Sequence, residues 1–227
     1  MTDFDKKKHW ENIYDTKNLD EVSWYEPTPQ NSIDLITQDK PSKNSKIIDI
    51  GGGDSFLVDH LLDLGFTNVT VLDISEKAID RAKSRLGIRA SQVKWIVFDI
   101  TKFVAPEKYD IWHDRAAFHF LTNANEVISY VDTAKKSLNN NANLIIGTFS
   151  DDGPLKCSGI EITKYSETTL KKCFQDDFTL DKLRQGAQLG NARGNTTPIE
   201  AKDAIDFINY VTSGFAPVVR NKKQLAA

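Results

Sequence analysis

The 227-residue chain predicts a doubly wound α/β fold with a mostly parallel sheet, and three observations carry that expectation. Short apolar runs recur at 47–50, 69–72, 93–98 and 144–149, as in strands buried on both faces. Segments of helical period lie between them, the alternation that builds parallel sheets. The first run passes directly into Gly51, Gly52 and Gly53 and then into a helix, the corner at which α/β folds hold ligands.

The elements follow in order, beginning with an arm over residues 1–40. Residues 1–8 are polar. HWENIYDTK follows, with Trp10 and Tyr14 four apart, one above the other if the segment is helical. In DEVSWYEPTP, Pro27 and Pro29 impose an extended path just after Trp24 and Tyr25. Aromatics on so polar a segment either staple the arm onto the core or form a lid, and the two readings are compatible. A short helix over 31–38 and a polar loop over 39–45 lead into the core unit.

That unit is KIIDIGGGDSFLVDHLLDLGFTNVTVLD, Lys46 to Asp73. The glycines let the backbone turn sharply and approach a ligand closely. Phe56, Leu57, His60, Leu61 and Leu64 share a helix face that Gly65 ends. Asp73 tips the next strand, 73 − 51 = 22 residues past the first glycine, where a carboxylate suits both hydroxyls of a ribose. The unit therefore reads as a nucleoside-cofactor site.

Ser75 caps a helix running to Leu86, with Ala78, Ile79 and Ala82 inward and Gly87 as its stop. A third strand, 93–98, closes on Asp99 and Ile100; a fourth is YDIWHDR from Tyr109, with Asp114 at its tip. The helix over 126–138 carries Val127, Tyr130, Val131 and Ala134 on one stripe. Residues 139–143 turn into the fifth strand, 144–149. Ser166 caps a helix to Phe174, 178–183 is a sixth strand, 188–197 is a Gly- and Asn-rich mobile loop, and 204–212 can supply the last strand.

The pattern acidic-x-Gly-x-Gly, here Asp49, Gly51 and Gly53, resembles the first motif of the class I S-adenosylmethionine-dependent methyltransferases; Ser55 stands where that motif has its last glycine. HWENIYDTK, EVSWY, HDRAAFHFL and DDGPLKCSGIEITKYS extend the resemblance to a small bacterial-type branch, as far as about Asp181. It implies a seven-stranded sheet with one antiparallel strand, in a domain over 41–215, with a polar tail over 216–227. It implies S-adenosylmethionine as cofactor, held through its methionine part by Asp49 and Gly51–Gly53, through its ribose by Asp73 and Ile74, and through its adenine by Asp99 and Ile100. Trp10, Tyr14 and Trp24 would close over the sulfonium cation. Asp114 would sit near the transferring methyl, complementing the sulfonium or the methionine ammonium. His119 is either a general base for the acceptor or a packed imidazole between Phe118 and Phe120.

Other classes fit less well. A dinucleotide fingerprint needs glycine at its sixth position, which is Phe56, and this disfavours a nicotinamide-dependent dehydrogenase. A non-catalytic module that keeps the cofactor pocket is the other alternative. The amino-methyltransferase signature of Asp or Asn, two prolines and an aromatic is absent after the fourth strand, which argues against an adenine, cytosine or glutamine amide nitrogen as acceptor. A net charge of −3 gives no basic field for nucleic acid, and no apolar run reaches the length of a membrane span. The acceptor is expected to be a small molecule, with a protein as the alternative. No His/Cys cluster has metal-ligand spacing. Cys157 and Cys173 read as thiols of a reducing compartment, and the expected location is the cytoplasm.

Overall fold

The computed structural model describes residues 4–186 and 214–221. Its sheet has seven strands in the order β3-β2-β1-β4-β5-β9-β8. The strands are β1 (Lys46–Ile50), β2 (Asn68–Asp73), β3 (Val93–Val97), β4 (Tyr109–Arg115), β5 (Leu138–Phe149), β8 (Phe178–Gly186) and β9 (Gly214–Asn221); β6 (Lys156–Cys157) and β7 (Ile160–Glu161) form a separate small hairpin. The first five are mutually parallel, and β9 runs antiparallel between β5 and β8.

Among the described residues six α-helices accompany them: α1 (Lys6–Thr16), α2 (Gln30–Thr37), α3 (Leu57–Asp63), α4 (Glu76–Leu86), α5 (Ala124–Ser137) and α6 (Glu167–Phe174). Strand alternation divides the core in two. Ile48, Ile50, Trp112, Leu144 and Ile146 meet Tyr130 and Ala134 of α5 and Leu170 and Phe174 of α6. Their neighbours Ile47, Ile111 and Ile145 face the other way, onto Leu35 and Ile36 of α2, Leu57 and Leu61 of α3, and Ile79 and Leu86 of α4. This double burial is why the strands read as continuous apolar runs.

Helix starts follow local chemistry. The Ser75 side chain accepts from the Ala78 amide at 3.2 Å, and the Ser166 side chain accepts from the Thr169 amide at 3.1 Å. Between α3 and α4, Asp54 takes Arg81 at 3.0 Å and Arg85 besides, and Arg85 reaches Asp59 at 3.0 Å.

Two sequence expectations change. The turn expected at 139–143 is part of β5, which starts at Leu138. Its pairing with β4 shifts between Tyr109 and Ile111, and Asn141 takes φ 61°, a conformation that asparagine tolerates. The polar tail expected from 216 is strand β9 as far as Asn221, because β5 and β8 supply its backbone partners on either side. The loop over 188–197 and the strand over 204–212 lie outside the described residues. None of the described helices is long and apolar enough to cross a membrane.

Candidate active site

Strand order reverses between β1 and β4, and the crevice beyond their carboxyl ends is where doubly wound sheets hold ligands. A cavity of about 960 Å³, counted to its open mouth, occupies that place. Gly51 after β1, Asp73 and Ile74 after β2, and Asp99 and Ile100 after β3 all line it, as do Trp10, Tyr14 and Trp24 of the arm and His119 beyond β4. A smaller cavity of about 320 Å³ has walls of Asp49, Gly51, Gly52, Ser55, His113 and Arg115 with Tyr14 and Trp24.

The glycine turn is built on contacts that a side chain would break. Gly51 sits at φ +65°, and a Cβ there would lie 2.8 Å from that of Ala117. Gly53 is at φ +35°, and its Cβ would lie 2.6 Å from Oδ2 of Asp73 and 3.1 Å from the Tyr14 hydroxyl. Gly53 therefore lines neither cavity but lets the Asp73 carboxylate and the arm close in. Phe56 occupies the sixth position of the turn and stacks under the Arg85 guanidinium, whose carbon lies 4.3 Å from the ring centroid.

Asp73 is buried, and one of its oxygens accepts from the Ser75 amide at 2.8 Å. Burial raises its pKa to about 7, helped by the charges of Asp49 and Glu11 and opposed by the Ser75 and Ile74 amides. Asp99 accepts from the amide and hydroxyl of Thr101 through one oxygen, while its other oxygen lies 3.9 Å from Lys102. Asp49 is held by His113, whose Nδ1 lies 2.7 Å from Oδ1, and the far nitrogen of that ring lies 2.9 Å from the Ser32 hydroxyl.

Asp114 does not reach the cavity, contrary to the sequence expectation. One of its oxygens accepts from the amides of Ala117 and Phe118 at 2.8 and 3.1 Å, and the other accepts from the Tyr130 hydroxyl at 2.6 Å. Alternation along β4 points it with Trp112 into the α5 side of the core, where the carboxylate anchors the turn carrying His119. Burial lifts its pKa to about 6 despite these donors.

The arm is docked as the aromatic pattern requires. Trp10 packs edge-on against Trp24 at 5.7 Å and Phe120 at 5.0 Å between centroids. Polar contacts tie it down: Lys6 to Glu126 at 2.5 Å, Glu11 to the Glu76 amide at 2.7 Å, and Arg115 to Glu26 and the Trp24 carbonyl at 3.0 Å each. Lys6, Ser23, Phe98, Arg115, Phe120 and Phe149 also line the cavity, which the sequence reading did not foresee. Only Arg115 carried a signal, as the residue after the strand-tip carboxylate. Ala116 next to it sits at φ 89°, a strained position costing about 1–3 kcal/mol of the kind that gathers at functional sites.

Comparisons with known proteins agree with this architecture. A family model described as a methyltransferase domain matches residues 41–199. Mouse eEF1A lysine and N-terminal methyltransferase is 28% identical over 105 residues, 46% of this chain but 15% of that protein. Malonyl-[acyl-carrier protein] O-methyltransferase 2 of Ilyobacter polytropus is 26% identical over 134 residues, 58% of this chain and 51% of its own. Among solved structures, the N-methyltransferase NodS of Bradyrhizobium japonicum WM9, in complex with S-adenosyl-L-homocysteine, superposes with a TM-score of 0.71 at 18% identity, covering 96% of this chain and 100% of that one. With the strand order and strand-end cavity described above, the match over 41–199 shows that the chain belongs to the methyltransferase-domain family, of the class I S-adenosylmethionine-dependent type.

Proposed function

We propose that the strand-end cavity binds S-adenosylmethionine and that the protein transfers its methyl group to a small-molecule acceptor. One observation carries the reading: the residues expected from sequence to hold the ribose and adenine parts line one cavity at three adjacent strand ends, and Gly51 of the glycine turn joins it to the smaller cavity walled by Asp49 and Gly52. The residues suit the group. Asp73 is a carboxylate kept from water beside a turn that only glycine can make, as ribose hydroxyls require. Asp99 keeps one oxygen for the adenine amino group, and Ile100 packs on the ring. Gly51 and Gly52 border the smaller cavity with Asp49, where the methionine ammonium would meet a carboxylate held in place by His113.

The sulfonium supplies an already activated methyl group, so the chain's work is to bind, align and exclude water. Trp10, Tyr14 and Trp24 do the last of these by covering the cavity with aromatic faces, which also attract a cation. A small acceptor is supported by the docked arm, whose Trp10, Tyr14 and Trp24 wall one side of the cavity and narrow it.

Incubation with methyl-labelled donor and fractionated cell extract tests this. Label is expected in the small-molecule fraction; label confined to protein or nucleic acid, or donor binding with no transfer to any fraction, contradicts the reading.

A further inference from the structure

His119 makes no side-chain hydrogen bond, yet it is 1% exposed, and both ring nitrogens are buried without a partner among the described residues. The ring is wedged between Phe120 at 4.3 Å and Phe149 at 4.8 Å between centroids, and it lines the cavity beside Leu121 and Cys157. Its backbone is fixed, since the Thr163 amide donates to its carbonyl at 2.8 Å. A buried polar group left unpaired costs stability and calls for an explanation, and one facing a cavity is explained by a ligand that pairs with it.

We propose that the acceptor is a small neutral molecule carrying a hydroxyl on an apolar, aromatic body, and that His119 takes the proton of that hydroxyl. This rests on the methyl-donor reading of the cavity given above.

Charge and shape both select this class. Trp10, Trp24, Phe120 and Phe149 offer ring faces and edges to a flat apolar body. The cations lining the cavity, Lys6 and Arg115, are already paired with Glu126 and Glu26, so a carboxylate acceptor would have to displace one of them. An ammonium acceptor would share a low-dielectric space with the sulfonium cation. It would also need to lose a proton held at a pKa of about 10. Desolvation lowers the pKa of His119 to about 3, so the ring is neutral and too weak a base for that task. Besides the donor, the charged or titratable groups lining this space with it are Lys6, Tyr14, Asp73, Asp99, Arg115 and Cys157.

A neutral hydroxyl adds no charge beside the sulfonium and, unlike an ammonium, already has a lone pair before it gives up its proton. Its oxygen lone pair forms the new bond to the methyl carbon, and the electron pair of the broken carbon–sulfur bond stays on sulfur. The hydroxyl proton passes to an unpaired nitrogen of His119, which a small turn of the ring brings to the cavity, since an alkylated oxygen still carrying its proton is a far stronger acid than imidazolium. The positive charge that entered on sulfur ends on the ring, so the charge within the cavity is unchanged across the step.

The test uses the full chain. 4-Methylphenol, benzylamine and benzoate are offered together with methyl-labelled donor. Separately, calorimetry compares 4-methylphenol with its methyl ether on protein saturated with S-adenosylhomocysteine. Label should appear on the phenol alone, and the phenol should bind about 3–10-fold tighter than the ether, the worth of one hydrogen bond. H119F should erase that preference, and both H119F and H119Q should slow transfer about 10²–10⁴-fold with S-adenosylhomocysteine affinity retained. Label on benzylamine or benzoate, no label on any acceptor, or equal phenol and ether affinities in the unsubstituted protein overturns the proposal while leaving donor binding standing. Failure of S-adenosylhomocysteine itself to bind brings down the donor reading instead.

Discussion

Two buried carboxylates at the ends of the strands flanking β1, Asp73 and Asp114, have opposite roles. Asp114 spends both oxygens on protein donors, whereas Asp73 borders a cavity with one oxygen committed to Ser75. Replacing Asp114 by Ala strands the Tyr130 hydroxyl and two amides, and the loss should be about 2–4 kcal/mol of unfolding free energy by urea titration. The folded fraction of that variant should bind donor normally; a selective loss of donor affinity would instead place Asp114 at the ligand. Asp73 makes a pH prediction. Its folded pKa, about 7, is above the ordinary 3.8, so its contribution to stability is fully present below pH 3.8 and is lost as pH rises through 7. His119 works in the opposite sense: an unfolded histidine is half protonated at pH 6.5, so its contribution recovers about 0.4 kcal/mol between pH 6.5 and 8 and is lost further as pH falls. Between pH 6.5 and 8 Asp73 therefore removes roughly 0.8 kcal/mol, and with the opposing His119 and a small further loss from Asp114 the donor-free protein should lose about 0.5 kcal/mol, or about 1–2 °C in Tm. The Asp73→Asn variant should show no such loss, while donor affinity in the parent should strengthen over the same range. A parent Tm that is flat or rising from pH 6.5 to 8 would contradict this account of Asp73.

At the scale of elements, the arm and the turn after β4 decide what the cavity can do. Helix α1 is amphipathic in an unusual sense, with Trp10 and Tyr14 turned to the site and Glu11 capping the amide end of α4. Its ion pairs, Lys6 with Glu126 and Asp15 with Lys77, are partly or largely exposed and worth about 0–1 kcal/mol each, so the aromatic contacts hold the larger share of docking. Trp10→Ala should thus weaken donor binding about tenfold or more, and Glu11→Ala should lower stability by about 1 kcal/mol with little change in affinity. Equal effects of the two in paired calorimetry and melting experiments would contradict that division. Much of this was legible in the sequence. The strand runs, the glycine turn, Asp73, Asp99 and the aromatic spacing all carry local signals, because buried parallel strands and tight turns restrict residue type strongly. The inward turn of Asp114 was not legible, since strand alternation gives two faces but does not say which one meets the cavity. Phe149 and Lys6 were also hidden, because they reach the site only through tertiary packing of β5 and α1.

At the scale of the whole molecule, a seven-stranded sheet presents one edge of carboxyl ends, and the chain places its only run of three glycines at the first of them. The two cores, one on each face, hold that edge rigid, while the arm closes it from outside. In the proposed function the donor site at the strand ends lies beneath the docked arm, and acceptor choice falls to the arm, the turn after β4 and the end of β5. That arrangement also explains why a sequence shared across a broad family says much about the donor and little about the acceptor. The most direct test of the central claim is calorimetric titration of S-adenosylhomocysteine into the full chain and into Asp73→Ala. The account predicts one-site binding to the parent and an affinity lower by about tenfold or more in the variant, the loss of charged hydrogen bonds to ribose. No binding to the parent, or the same affinity in both, would contradict it.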